Sequence, residues 1–128
     1  MIYVDTSVVL AHLLAEDKTP PLRLWSEPLV ASRLLHYETW VRIHSRGLAS
    51  THGEAVRANL ARIAIVEMQG FVLQRASEPF PSPVRTLDAL HLASMEFLRS
   101  HGQAVVLASY DDRMRVAAQA MEISLFDL

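Results

Sequence analysis

Short apolar runs separated by stretches of helical period constrain this chain more than any other feature. Ile2–Val4, Leu29–Ala31, Phe71–Leu73 and Ala104–Ala108 are too brief for helices and read as buried strands. Between them, Ser7–Glu16, Arg33–Arg46, the stretch from Val56 to Met68, Thr86–Ser100 and Asp111–Met121 read as helices, most carrying apolar residues at helical intervals. Leu22–Ser26 reads as a short helical piece behind Pro20–Pro21, and Thr86 as the N-cap of its helix. Strands that alternate with helices predict a parallel sheet covered on both faces. The expected fold is therefore α/β, a three-layer α/β/α sandwich with a central, mainly parallel sheet. At 128 residues it is expected to form one domain over 1–128.

Such sheets bind ligands in the crevice beyond the carboxyl ends of their strands. Asp5 stands directly after the first strand in Tyr3-Val4-Asp5-Thr6-Ser7. Asp111 stands three residues beyond the strand ending at Ala108, so both acids are expected at one edge of the sheet. Each is also a good N-cap for the helix it opens. Two further acids interrupt apolar faces: Glu38 beside Leu34, Leu35 and Val41, and Asp88 beside His91, Leu92 and Met95. A carboxylate in such a setting needs a partner or a metal. For Glu38 the simple partner is Arg42 at i+4, and for Asp88 the start of its own helix.

Composition narrows the chemistry. The absence of Cys excludes thiol nucleophiles, Cys-ligated zinc, iron–sulfur centres and a disulfide scaffold. Oxygen donors without sulfur suit Mg²⁺ or Mn²⁺, and two such ions would neutralise four converging carboxylates. A net charge of −2 means that nucleic acid cannot be held by bulk positive charge. Arg33, Arg42 and Arg46 on the helix of Glu38, with Arg85 and Arg113 beside other acids, are the candidate phosphate contacts. Trp25, Trp40 and Tyr37 read as core or interface anchors. No run approaches the about 18 apolar residues of a membrane span, and the start is unlike a secretory leader. The expected location is cytoplasmic.

The ordered set Val4-Asp5-Thr6-Ser7, a helical Glu38, Asp88-Ala89-Leu90-His91-Leu92-Ala93 and Ser109-Tyr110-Asp111-Asp112-Arg113-Met114 resembles the PIN-domain family, and within it the VapC-like toxins of toxin–antitoxin systems. The resemblance runs through nearly the whole chain. It implies a metal-dependent endoribonuclease that hydrolyses RNA phosphodiester bonds with a metal-activated water. The metal-holding and catalytic acids it implies are Asp5, Glu38, Asp88 and Asp111, with Mg²⁺ or Mn²⁺ as cofactor. Ser109 stands where the family usually has Thr, and the neighbouring Asp112 leaves the fourth acid open between Asp111 and Asp112. Thr6 or Ser7 would support the metal shell, and His91 would lie near it. The implied partners are RNA, a cognate antitoxin and a second copy of the chain. Aspartyl-phosphate chemistry fits less well, because it uses a Lys near the acid and Lys18 lies in a Pro-flanked loop. The alternative outside enzymology is a catalytically silent PIN-like module that binds RNA or protein.

Overall fold

The computed structural model describes residues 1–128. Five strands, β1 (Ile2–Val4), β2 (Leu29–Ser32), β3 (Ala64–Val66), β4 (Val106–Ala108) and β5 (Ser124–Leu125), form one sheet in the order β3-β2-β1-β4-β5. Every neighbouring pair is parallel, with Ile2 opposite both Leu29 and Val106. Six helices connect them: α1 (Thr6–Leu13), α2 (Leu34–Ser45), α3 (Ala49–Leu60), α4 (Gly70–Ala76), α5 (Thr86–Ser100) and α6 (Asp112–Ala120). Leu22–Ser26 forms a 3₁₀ turn ahead of β2. No helix is long and apolar enough to cross a membrane.

Alternation along the strands builds two cores. Ile2, Val4, Leu29 and Ala31 pack with Val8, Leu35, Ile43 and Val56 on one side of the sheet. Tyr3, Val30 and Leu107 pack with Leu92, Met95, Met114 and Ala117 on the other. Because the sheet is covered twice, β1 is buried at every position and reads as a continuous apolar run. The result is the expected three-layer α/β/α sandwich. Gly47, with φ +65°, lies just past α2, where a side chain would strain the left-handed turn that ends it.

Three local expectations change. Phe71–Leu73 lies in α4 rather than in a strand, with Phe71 and Leu73 exposed and Val72 buried. The strand in this region is β3, which the helical spacing had absorbed. Val56, Leu60 and Ile63 are all buried, but α3 stops at Leu60 and Ile63 reaches the core from the connection to β3. Pairing with β2 overrides the local pattern there. Thr86 is the first residue of α5, not its cap. The N-cap is Arg85, whose backbone N–H donates to Asp88 Oδ2 at 3.4 Å. The short β5, which hydrogen-bonds to β4, had no periodic signal in two residues.

Candidate metal centre

The first strand ends by handing its last ladder bond to an acid: Asp5 N–H donates to Ala108 O at 3.0 Å. Because β1 and β4 are neighbours in register, the chain leaves both at the same edge. Asp5 sits at the N-cap position of α1 without a capping bond from its side chain, and Asp111 caps α6 with Oδ1 accepting from Met114 N–H at 3.1 Å. Glu38, one turn into α2, and Asp88, in the first turn of α5, reach the same place from helices that follow and precede neighbouring strands. All four acids line one crevice of about 510 Å³. Asp112 does not line it, so Asp111 is the acid of that pair which faces the other three. A larger groove of about 740 Å³ beside Pro79–Pro83 has Glu78 as its only acid.

The protein partners of these carboxylates are mostly hydroxyls and amides. Asp5 is 7% exposed, and its Oδ2 accepts from Ser7 Oγ at 2.6 Å and Ser109 Oγ at 2.8 Å. The Ser109 hydroxyl also accepts from Asp111 N–H, tying the two turns together. Asp88 is 9% exposed and holds only the long bond from Arg85 N–H. Of the four ion pairs in the protein, none involves Asp5, Asp88 or Asp111. Burial first, and then the charge of Asp111, push the Asp88 carboxyl above its ordinary pKa, with Asp5 adding in the same direction and the Arg85 N–H and His91 opposing. Asp5 and Asp111 therefore both oppose the ionisation of Asp88 across the crevice.

Glu38 is held differently. Its Oε1 accepts from Thr6 Oγ1 at 3.0 Å and from His91 Nε2 at 2.6 Å. The expected i+4 pair with Arg42 does not form. His91 is buried, and its Nδ1 meets the Tyr3 hydroxyl at 2.8 Å, which in turn accepts from Ser32 N–H at 3.2 Å. Burial lowers the basicity of His91, but the Tyr3 hydroxyl, the hydrogen bond to Glu38 and the charges of Asp5 and Glu38 outweigh it and push its pKa up to about 10. Tyr3 carried no signal in the sequence beyond a hydroxyl inside an apolar strand.

No three of the acids and histidines close into a compact cage. Each of the four carboxylates nevertheless commits only one oxygen to the protein. That donor set fits Mg²⁺ or Mn²⁺, which take oxygen ligands and keep several waters rather than filling their shell with protein. The capping role of Asp111 and any ligand role separate by substitution. Asp111→Asn preserves a capping acceptor and should leave thermal stability almost unchanged, whereas Asp111→Ala should cost about 1 kcal/mol. Equal destabilisation by both would show that the charge, not the cap, holds α6.

The PIN domain family model matches residues 2–120. Two proteins of Mycobacterium tuberculosis are similar over nearly their full lengths. Ribonuclease VapC46 is 31% identical over 97% of this chain and 95% of its own. Ribonuclease VapC35 is 28% identical over 98% and 95%. Among solved structures, that of Mycobacterium tuberculosis VapC20, described as a Sarcin-Ricin loop cleaving toxin, superposes with a TM-score of 0.65. Its sequence identity is 21%, and the match covers 91% of this chain and 95% of that one.

Proposed function

This chain belongs to the PIN domain family, and from that premise we propose that it is a metal-dependent endoribonuclease, the toxin of a type II toxin–antitoxin pair, with residues 1–128 acting as one nuclease domain. One observation carries the reading. Asp5, Asp88 and Asp111 come from three separate segments to one crevice, and no cation of the protein lies within ion-pair distance of them. Buried charges left in that state are costly, and a divalent ion offsets the cost. The names of the ribonuclease relatives support RNA as the polymer that is cut.

Asp5 and Asp88 hold the ion from buried positions and Asp111 from an exposed one, with Glu38 as the fourth acid. When bound there, Mg²⁺ or Mn²⁺ supplies Lewis-acid polarisation of a phosphoryl oxygen and a water made nucleophilic at neutral pH. The protein supplies orientation. Ser7 and Ser109 fix the Asp5 rotamer, and Thr6 and His91 fix Glu38 so that its Oε2 stays clear of protein donors. Supports of this kind set both ligand geometry and ligand basicity.

The remaining assignments follow the family. The protein acts in the cytoplasm, forms a homodimer and is silenced by a cognate antitoxin. Leu22, Tyr37 and Val41 are large apolar side chains at least half exposed, and they support a protein-docking surface near the 3₁₀ turn and α2.

The deciding experiment incubates purified, antitoxin-free protein with total RNA in Mg²⁺ or Mn²⁺, with and without EDTA. Cleavage with the metal, reduced by EDTA to the level of an enzyme-free control and restored by excess Mn²⁺, is the expected result. Cleavage that persists in EDTA would remove the metal from the reading. RNA left intact by wild type under both metals would favour the silent binding module.

A further inference from the structure

The sequence offers five arginines near the acids, and the structure separates them. Arg33 is taken by Glu67, which accepts from both its Nε and its guanidinium Nη2. Arg85 and Arg113 do not line the acidic crevice. Arg42 and Arg46 do, and neither guanidinium makes an ion pair with the protein. Arg42 stands four residues beyond Glu38, the spacing at which a helix normally pairs opposite charges. His91 and Thr6 hold Glu38 Oε1, and Arg42 pairs with neither oxygen of that carboxylate, so its guanidinium is left unclaimed.

Arg46 follows by another four residues, at the C-cap of α2. Glu38, Arg42 and Arg46 therefore run along one face of the helix in steps of about 6 Å, leading away from the candidate metal acids. A favourable helix dipole explains cations in a last turn, but it does not select the face that opens on the crevice. Lys18 also lines the crevice, but so do Glu16 and Asp17 beside it, and its ammonium lies 5.6 Å from the Tyr110 ring centroid. Lys18 is the weaker anion site.

We infer that Arg42 and Arg46 are the grip on the RNA backbone, each guanidinium taking a phosphate on one side of the bond to be cut. The inference rests on the ribonuclease reading and adds the strand's track to it. Two forked donors, unpaired and exposed beside an acidic crevice, match phosphate oxygens bidentately. They also let a chain of net charge −2 bind an anionic polymer without a basic surface.

Binding can be read without turnover by fluorescence anisotropy of a labelled single-stranded RNA, using Asp5→Asn protein in Mg²⁺. Adding Arg42→Gln and Arg46→Gln together should weaken binding by about tenfold or more. The slope of log K against log salt should become shallower by about 1.4. Arg42→Lys with Arg46→Lys should keep the slope and lose part of the affinity, while Arg99→Ala should change neither. Unchanged affinity and slope in the double Gln variant, with wild type still cutting RNA, would overturn the grip and leave the ribonuclease reading standing. If wild type cuts no RNA in either metal and no form binds RNA, the ribonuclease reading fails and the grip with it.

Discussion

Asp5→Asn should give a folded protein that no longer cuts RNA. The amide is nearly the size of the carboxylate, and its oxygen can still accept from the Ser7 and Ser109 hydroxyls that hold Asp5 now. What disappears is one of the two neighbouring charges that, after burial, push the Asp88 carboxyl up, the other being Asp111. Thermal stability in EDTA should therefore equal or exceed that of wild type. Activity goes the other way. A metal's share of transition-state stabilisation is several kcal/mol, and at about 1.4 kcal/mol per decade its loss lowers the rate by roughly 10²–10³-fold. A second readout is independent of turnover. Wild type should melt higher when Mn²⁺ is added, by the free energy of binding a native-state ligand, and Asp5→Asn should not. Retention of both cleavage and the Mn²⁺ shift would remove Asp5 from the metal centre. A collapsed melt in EDTA would make it a structural acid.

The sheet-edge acids were legible because they depend on short distances along the chain. Asp5 touches the end of β1 and Asp111 lies three residues past β4. Once those strands are recognised as parallel, the two acids must emerge together. The helical acids were legible as anomalies, since Glu38 and Asp88 interrupt apolar faces. Their partners were not. Local spacing proposes Arg42 for Glu38, yet the partner is His91, 53 residues away, brought by α5 packing against the sheet. The strand at Ala64–Val66 was hidden for a related reason. A three-residue edge strand has too few positions to show a period, and Ile63 continued the helical rhythm of Val56 and Leu60 while belonging to neither element. Phe71–Leu73 misled by the same shortness in reverse. Three apolar residues cannot tell strand from helix, and even their exposed–buried–exposed order suits a strand; the helix shows only in the backbone of the longer segment Gly70–Ala76.

Replacement of His91 by Ala should be costly to the fold and, separately, to metal use. The imidazole links Tyr3 on β1, which also accepts from Ser32 on β2, to Glu38 on α2, which also accepts from Thr6 on α1. Tyr3 and His91 are almost completely buried, so water cannot replace the lost partner. Loss of a buried charge-assisted hydrogen bond, with the Tyr3 hydroxyl left short of a partner, costs about 3 kcal/mol. For a chain of this size that lowers the melting temperature by roughly 10 °C. Stability alone would not distinguish packing from positioning. The distinguishing readout is the Mn²⁺ concentration giving half-maximal cleavage, measured well below the melting point. If His91 orients Glu38 as a ligand, this concentration should rise about 10–100-fold in His91→Ala, the range found when supports of metal ligands are removed. His91→Gln puts an amide donor back toward Glu38 without restoring the Tyr3 contact. It should recover much of the metal requirement while remaining less stable than wild type. A destabilised His91→Ala whose Mn²⁺ requirement is unchanged would confine His91 to tying α5 to β1 and α2 and leave Glu38 positioned by Thr6 alone.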